Sequence, residues 1–254
     1  MAENTIKSYL RTVATFLEKY GEVNKQNLLT FKGELVEHYK AKTVNLRLQA
    51  INKYLEFLKK DRLKLRFVKI QQQNFLENVI SDADYRFFIR RLKADRRMNW
   101  YFIVRYLCAT GARISELIQI KTEHIEAGYL DIYGKGGKVR RLYIPKKLRV
   151  ETLNWLAETN YESGYLFLNR FGKRITTRGI AQQLKVFAKE YKMNTKVVYP
   201  HSFRHRFAKN FLERCNDIAL LADLMGHESI ETTRIYLRRT ANEQKELVDK
   251  IVTW

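Results

Sequence analysis

Between Pro200 and Tyr236 the chain reads PHSFRHRFAKNFLERCNDIALLADLMGHESIETTRIY, which gathers histidines, an arginine and a tyrosine into one short span. Imidazoles exchange protons near neutral pH, a guanidinium pairs with an oxyanion, and a phenol becomes a nucleophile once its proton is removed. His201 and Arg204 lie three residues apart at the start of a segment with helical spacing (Phe203, Phe207, Phe211), so their side chains share one face. His201 and His205 are four apart, a metal-pair spacing, but no Glu follows His201 and the intervening Arg204 repels a cation. His205 therefore reads as a packing or structural hydrogen-bonding residue. No carboxylate cluster suited to two magnesium ions is apparent, so no metal and no cofactor are expected.

The elements that must hold these groups are marked in the sequence. Pro200 drives the preceding residue out of helical conformation and fixes the start of the first helix. Asp217 is placed to cap a second helix that turns Ile218, Leu221, Leu224 and Met225 inward and stops at Gly226, leaving His227 on the turn. Ser229 caps a third, containing Thr232, Thr233 and Tyr236. Upstream, a helix over 98–110 ends at Gly111, and Arg113 opens a short helix with Glu116 three residues on, close enough for the carboxylate to orient the guanidinium or to form a surface ion pair. Two β-rich segments, 128–133 and 139–144, are joined by GKGGK as a hairpin that carries Lys135 and Lys138. That loop is not a P-loop: the spacing to a G-K-[ST] is absent and a strand follows it.

The ordered set H-x-x-R, L-x-G-H and a tyrosine nine residues beyond that histidine, with T-G-A-R-I-S-E-L at 110–117, resembles the tyrosine recombinases, the phage-integrase-like and Xer-like site-specific recombinases. The resemblance implies that Arg113 and Arg204 neutralise a scissile phosphate, that Tyr236 attacks phosphorus, and that His201 is the general base with His227 hydrogen-bonding the phosphate. The family pattern G-K-G-x-K aligns its catalytic lysine with Lys135, with Lys138 as the alternative; this amine would protonate the leaving 5′-oxygen. It further implies a 3′-phosphotyrosyl intermediate, a homotetramer on paired double-stranded DNA core sites, and exchange through a Holliday junction. The chain departs from the family at Arg214, Cys215 and Asn216, which occupy a turn where a glycine is usual.

Composition fits a partner that is a polyanion. Forty-eight Lys and Arg against 27 Asp and Glu give +21, of which +8 falls in residues 1–75 and +13 in the remainder, so both halves are basic. Helical spacing is seen over 5–20, from Asn27 to about Tyr39, and from Thr43 through Leu58, which makes a small helical N-terminal domain over 1–65. The basic run 66–75 reads as a linker that either crosses DNA or lies as a strand on a domain surface. A catalytic domain follows over 76–254. The expected fold is mainly α: an N-terminal helical core-binding domain, then a mostly helical catalytic domain with a small antiparallel β-sheet. Helices are expected over 147–159 and 176–192 with an apolar strand at 166–168, and Leu247, Ile251 and Trp254 form an apolar stripe that packs on its own domain or docks into a neighbouring subunit. Two cysteines in apolar patterns and no long apolar run point to a reducing, cytoplasmic setting without a membrane span. The rival activities are a type IB topoisomerase, which reseals the same strand, and a non-catalytic DNA-binding protein of the same fold.

Overall fold

The computed structural model describes residues 3–70, 78–134, 137, 139–159, 161, 163–227, 229–237, 245 and 248–252. The chain divides into two compact units, Met1–Gln73 and Asn74–Trp254. Lys135, Lys138, Leu247 and Trp254 lie outside the described residues.

In the first unit, α1 (Glu3–Tyr20), α2 (Lys25–His38) and α3 (Ala41–Phe57) enclose Phe16, Leu28, Phe31, Leu35, Leu48, Ile51 and Leu55. Helix α2 begins two residues before Asn27 because Asn24 is the cap: its side chain accepts the amide of Asn27 at 2.9 Å. Part of the basic stretch after α3 belongs to this unit. Asn52 and Asn45, two helical turns apart on α3 and hence on one face, each clamp a backbone position of the extended chain. The amide of Leu65 donates to Asn52 at 2.8 Å and its carbonyl accepts from Asn52 at 2.9 Å; Val68 makes the same pair of bonds to Asn45 at 2.8 and 3.0 Å. Leu65 is buried and Val68 packs against the same core. Through Val68 the run therefore lies along α3, without being a strand of any sheet.

The second unit is built around α5 (Met98–Thr110), whose residues are buried on nearly every side: Tyr101, Phe102, Ile103, Val104, Tyr106, Leu107 and Thr110. The amphipathic neighbours wrap an apolar rod of this kind. These are α4 (Asp82–Ala94), α6 (Ile114–Leu117), α7 (Thr122–Ala127), α8 (Lys146–Glu158), α9 (Thr177–Glu190) and α10 (Pro200–Arg214). Phe203 of α10 stacks on Phe88 of α4 with ring centroids 6.2 Å apart, and the hydroxyl of Ser202 accepts the amide of Ile80 at 2.8 Å. The sheet is one antiparallel pair, β1 (Tyr129–Tyr133) and β2 (Val139–Tyr143), with Tyr129 opposite Tyr143 and Tyr133 opposite Val139. Residues 166–168 form no strand; the chain there makes only isolated bridges, Lys121 with Tyr165 and Leu168 with Arg174. Helices α11 (Ile218–Met225) and α12 (Ile230–Arg234) complete the unit, capped by Asp217 and Ser229. Tyr236 sits in the 3-10 turn Ile235–Leu237 after α12 instead of within that helix. Among the described residues no helix is long and apolar enough to cross a membrane.

Asn52→Ala deletes both bonds to Leu65 and leaves two backbone groups short of partners, at a cost of about 1–3 kcal/mol. The Leu65 amide is expected to lose hydrogen-exchange protection while the α2 amides keep theirs; unchanged protection at Leu65 would contradict the clamp.

Candidate active site

Two helix ends supply the frame. Helix α5 stops at Gly111, which holds φ +64°, and a Cβ there would lie 2.4 Å from a ring carbon of Phe207. Helix α11 stops at Gly226 with φ +61°, where a Cβ would meet the Arg140 side chain at 2.2 Å. Glycine is thus required twice over at both positions, by the left-handed backbone and by the close approach. These ends leave carbonyls without helical partners, at the negative pole of each helix.

The two arginines singled out by the sequence use those carbonyls. Arg204, carried into the interior by α10 and buried, donates to the Gly111 carbonyl and, at 2.6 Å, to that of Met225. Arg113, at the cap of α6, donates to the next carbonyl, Gly226, at 2.9 Å. Glu116 completes its hold: Oε1 accepts from the Arg113 guanidinium at 2.9 Å and Oε2 from the Arg113 amide at 2.7 Å. Glu116 is buried, which alone would push its carboxyl up; the guanidinium of Arg140 and then the bonds from Arg113 outweigh that and hold it below the usual carboxylate range. Burial, followed by the charge of Arg113, lowers Arg204 from 12.5 to about 10, so it stays a cation at neutral pH.

The imidazoles are neutral by the same logic. His227 accepts from Arg204 through Nε2 at 3.2 Å, since arginine has no acceptor, and so carries its proton on Nδ1, 2.8 Å from the hydroxyl of buried Thr233. Burial first, then Arg204, Arg113 and Arg140, depress His227 to about 4. His201, exposed on α10 with its ring 6.4 Å from that of His205, is lowered by burial and then by the charges of Arg204 and Arg113. Tyr236 is only 6% exposed, packed with Ala208, Leu212, Leu221 and Met225. Burial pushes its phenol up while Arg204 and Arg113 pull it down. The ring nitrogen in contact with that hydroxyl is Nδ1 of His205, at 3.1 Å, one helical turn beyond His201. His205 is itself depressed to about 4 by burial, His201 and Arg204, so it is a neutral partner for the phenol.

The structure therefore brings Arg113, His201, Arg204, His227 and Tyr236 into one neighbourhood; Lys135, expected to join them, lies outside the described residues. Two contributors escaped the sequence reading. Thr233 holds Nδ1 of His227, whose tautomer Arg204 sets, and nothing in its spacing announces that. Arg140 donates to Leu224 at 2.7 Å and to Glu116 at 2.5 Å. A signal for it existed: Arg140 shares the inward face of β2 with buried Leu142, a place where a strand seldom puts an unpartnered charge.

Residues 79–243 match the model of the Phage integrase family. The chain is 34% identical to the tyrosine recombinase XerA of Pyrococcus furiosus over 98% of this chain and 88% of that protein. Among solved structures, XerH site-specific recombinase bound to palindromic difH substrate matches with a TM-score of 0.74 at 20% identity, covering 99% of this chain and 79% of that one. The Tn1549 transposon integrase in complex with transposon right end DNA matches with 0.73 at 15% identity, covering 100% and 95%. The sequence likenesses, joined to a fold shared by both structures, put this chain in the phage integrase family. Its enzyme class follows from its relatives: it is a tyrosine-type site-specific DNA recombinase.

The depressed histidines make stability depend on pH in one direction. An imidazole that titrates near 6.5 when unfolded and near 4 when folded binds more protons in the unfolded state between those values, so stability falls as pH drops from about 6.5 to about 4. Thermal unfolding across that window is expected to show a falling midpoint, with a shallower slope in His227→Asn, which keeps a donor near Thr233 but does not titrate; an equal slope would contradict the assignment.

Proposed function

We propose that this recombinase binds double-stranded core sites and breaks and rejoins each strand through a 3′-phosphotyrosyl link to Tyr236, without a metal. The observation that carries the reading is Arg204: a buried guanidinium whose hydrogen bonds go to two carbonyls and a neutral imidazole, beside a second guanidinium and near a tyrosine. Arg204 has no carboxylate among its direct hydrogen-bond partners, and a scissile phosphate is an anion that Arg113 and Arg204 can clamp as charge spreads over its oxygens.

In the reaction the phenol leaves His205 and its oxygen bonds to phosphorus, with its proton passing to His201, the exposed imidazole one turn before His205. His227 hydrogen-bonds a phosphoryl oxygen once its proton moves from Nδ1 to Nε2, with Arg204 turning to the phosphate and the Thr233 hydroxyl donating to Nδ1. The bond from phosphorus to the 5′-oxygen breaks, and that oxygen takes a proton from Lys135, with Lys138 the alternative. The phosphotyrosyl bond keeps the energy of the diester, so a different 5′-hydroxyl reseals the strand. Two such exchanges by a homotetramer on paired sites pass through a Holliday junction. Exposed Val248, Ile251 and Val252 support docking of the chain end into a neighbouring subunit, since apolar surface of this kind gains by burial.

Tyr236→Phe is expected to abolish the covalent adduct on a nicked suicide substrate while DNA affinity and its salt dependence stay near those of the parent. Equal adduct yield in the variant would remove Tyr236 as nucleophile. A two-site recombination assay run beside supercoil relaxation separates strand exchange from resealing of the same strand.

A further inference from the structure

Arg140 has no place in the reaction above, yet it touches three parts of the site. Its Nη2 donates to Oε2 of Glu116 at 2.5 Å, the same oxygen that accepts the Arg113 amide. Its Nη1 donates to the Leu224 carbonyl at 2.7 Å, in the last turn of α11. Its stem runs across Gly226, so closely that any side chain there would collide with it. One buried carboxylate thus joins two guanidiniums, and the second of them is rooted in the hairpin through the pairing of Ile132 with Arg140. Five residues before Arg140 in sequence stands Lys135 and two before it Lys138, both in the hairpin connection.

We propose that Arg140 is a positioning residue: it bolts the β1–β2 hairpin to the Arg113–Glu116 pair and to the end of α11, so that the hairpin's lysine is delivered to the leaving 5′-oxygen. Its fork is spent on the Leu224 carbonyl and the Glu116 carboxylate, and its side chain is only 13% exposed where that of Arg113 is 37%. A lysine at this position has a single ammonium where arginine offers a two-ended fork, and cannot span the carboxylate and the carbonyl in the same way. The inference rests on the reading of a hairpin lysine as the general acid.

The leaving group provides the test. A 5′-bridging sulfur at the scissile position leaves as a thiolate of low basicity and has no need of the lysine's proton, whereas the 5′-oxygen does. Single-turnover adduct formation by the full chain is measured on both substrates for the parent, Arg140→Gln, Arg140→Lys, Lys135→Ala and Lys138→Ala. General-acid help is worth about 10²–10⁴-fold, so each Arg140 variant is expected to lose at least about tenfold on the oxygen substrate and to come within about threefold of the parent on the sulfur one. An equal loss on both substrates, or no loss on either, would overturn the proposal. The lysine variants report separately on the underlying reading, because if neither recovers on sulfur the acid is not a hairpin lysine, whatever the Arg140 variants do. Arg140→Lys keeps the test available should Arg140→Gln fail to fold.

Discussion

A buried positive charge with no carboxylate among its direct hydrogen-bond partners is what this catalytic domain is built to tolerate. Arg204 lies inside α10's packed face, next to a second guanidinium, and its direct hydrogen bonds go to carbonyl dipoles and one imidazole, with Tyr236 and the Glu116 carboxylate attracting it from further off. A fall from 12.5 to about 10 corresponds to on the order of 3 kcal/mol by which the folded state disfavours that charge. The core of α5, α4 and α10 must offset this, and on the proposed reading an arriving phosphate would reverse it. In the proposed reaction the substrate's charge would complete the site, and complementarity of this kind is organised before the reaction begins.

The same constraint accounts for the backbone around it. Carbonyls can serve a guanidinium only where a helix has stopped using them, and glycine provides that stop at 111 and 226. Arg113 and Arg204 take carbonyls of successive residues, Gly226 and Met225, so the α11 terminus sets their separation. His227 follows directly and turns its Nε2 onto Arg204, and Thr233 holds the opposite ring nitrogen. Tyr236 arrives one short helix later and rests against neutral His205, protonated and sheltered. Burial pushes up the pKa of a phenol parked in this way, so it keeps its proton.

Much of this was legible in the chain because caps, glycine stops and helical spacing are local. Asp217, Ser229, Gly111 and Gly226 act where the sequence placed them. Long-range pairings were not legible. Arg140 meets Glu116 across 24 residues and Leu224 across 84, and no local period encodes either encounter. His205 was read as structural, and it does make a structural hydrogen bond, but its partner is Tyr236, 31 residues away. The helix over 5–20 begins earlier, at Glu3, and 166–168 failed as a strand because an apolar run cannot specify a partner edge. The basic run after α3 had two open readings; the contacts of Leu65 and Val68 with Asn52 and Asn45 place its first part on the helical unit.

The central claim is that Arg113 and Arg204 are paired to neutralise one negative charge. A suicide substrate whose scissile diester is replaced by a neutral methylphosphonate removes that charge while leaving the phosphorus open to attack. Adduct yield with Arg113→Ala and with Arg204→Ala, on the natural diester and on the methylphosphonate, tests the claim most directly. The account predicts that both variants fail on the diester and recover adduct on the neutral substrate. Failure on both substrates in a variant that still folds and binds DNA would contradict it.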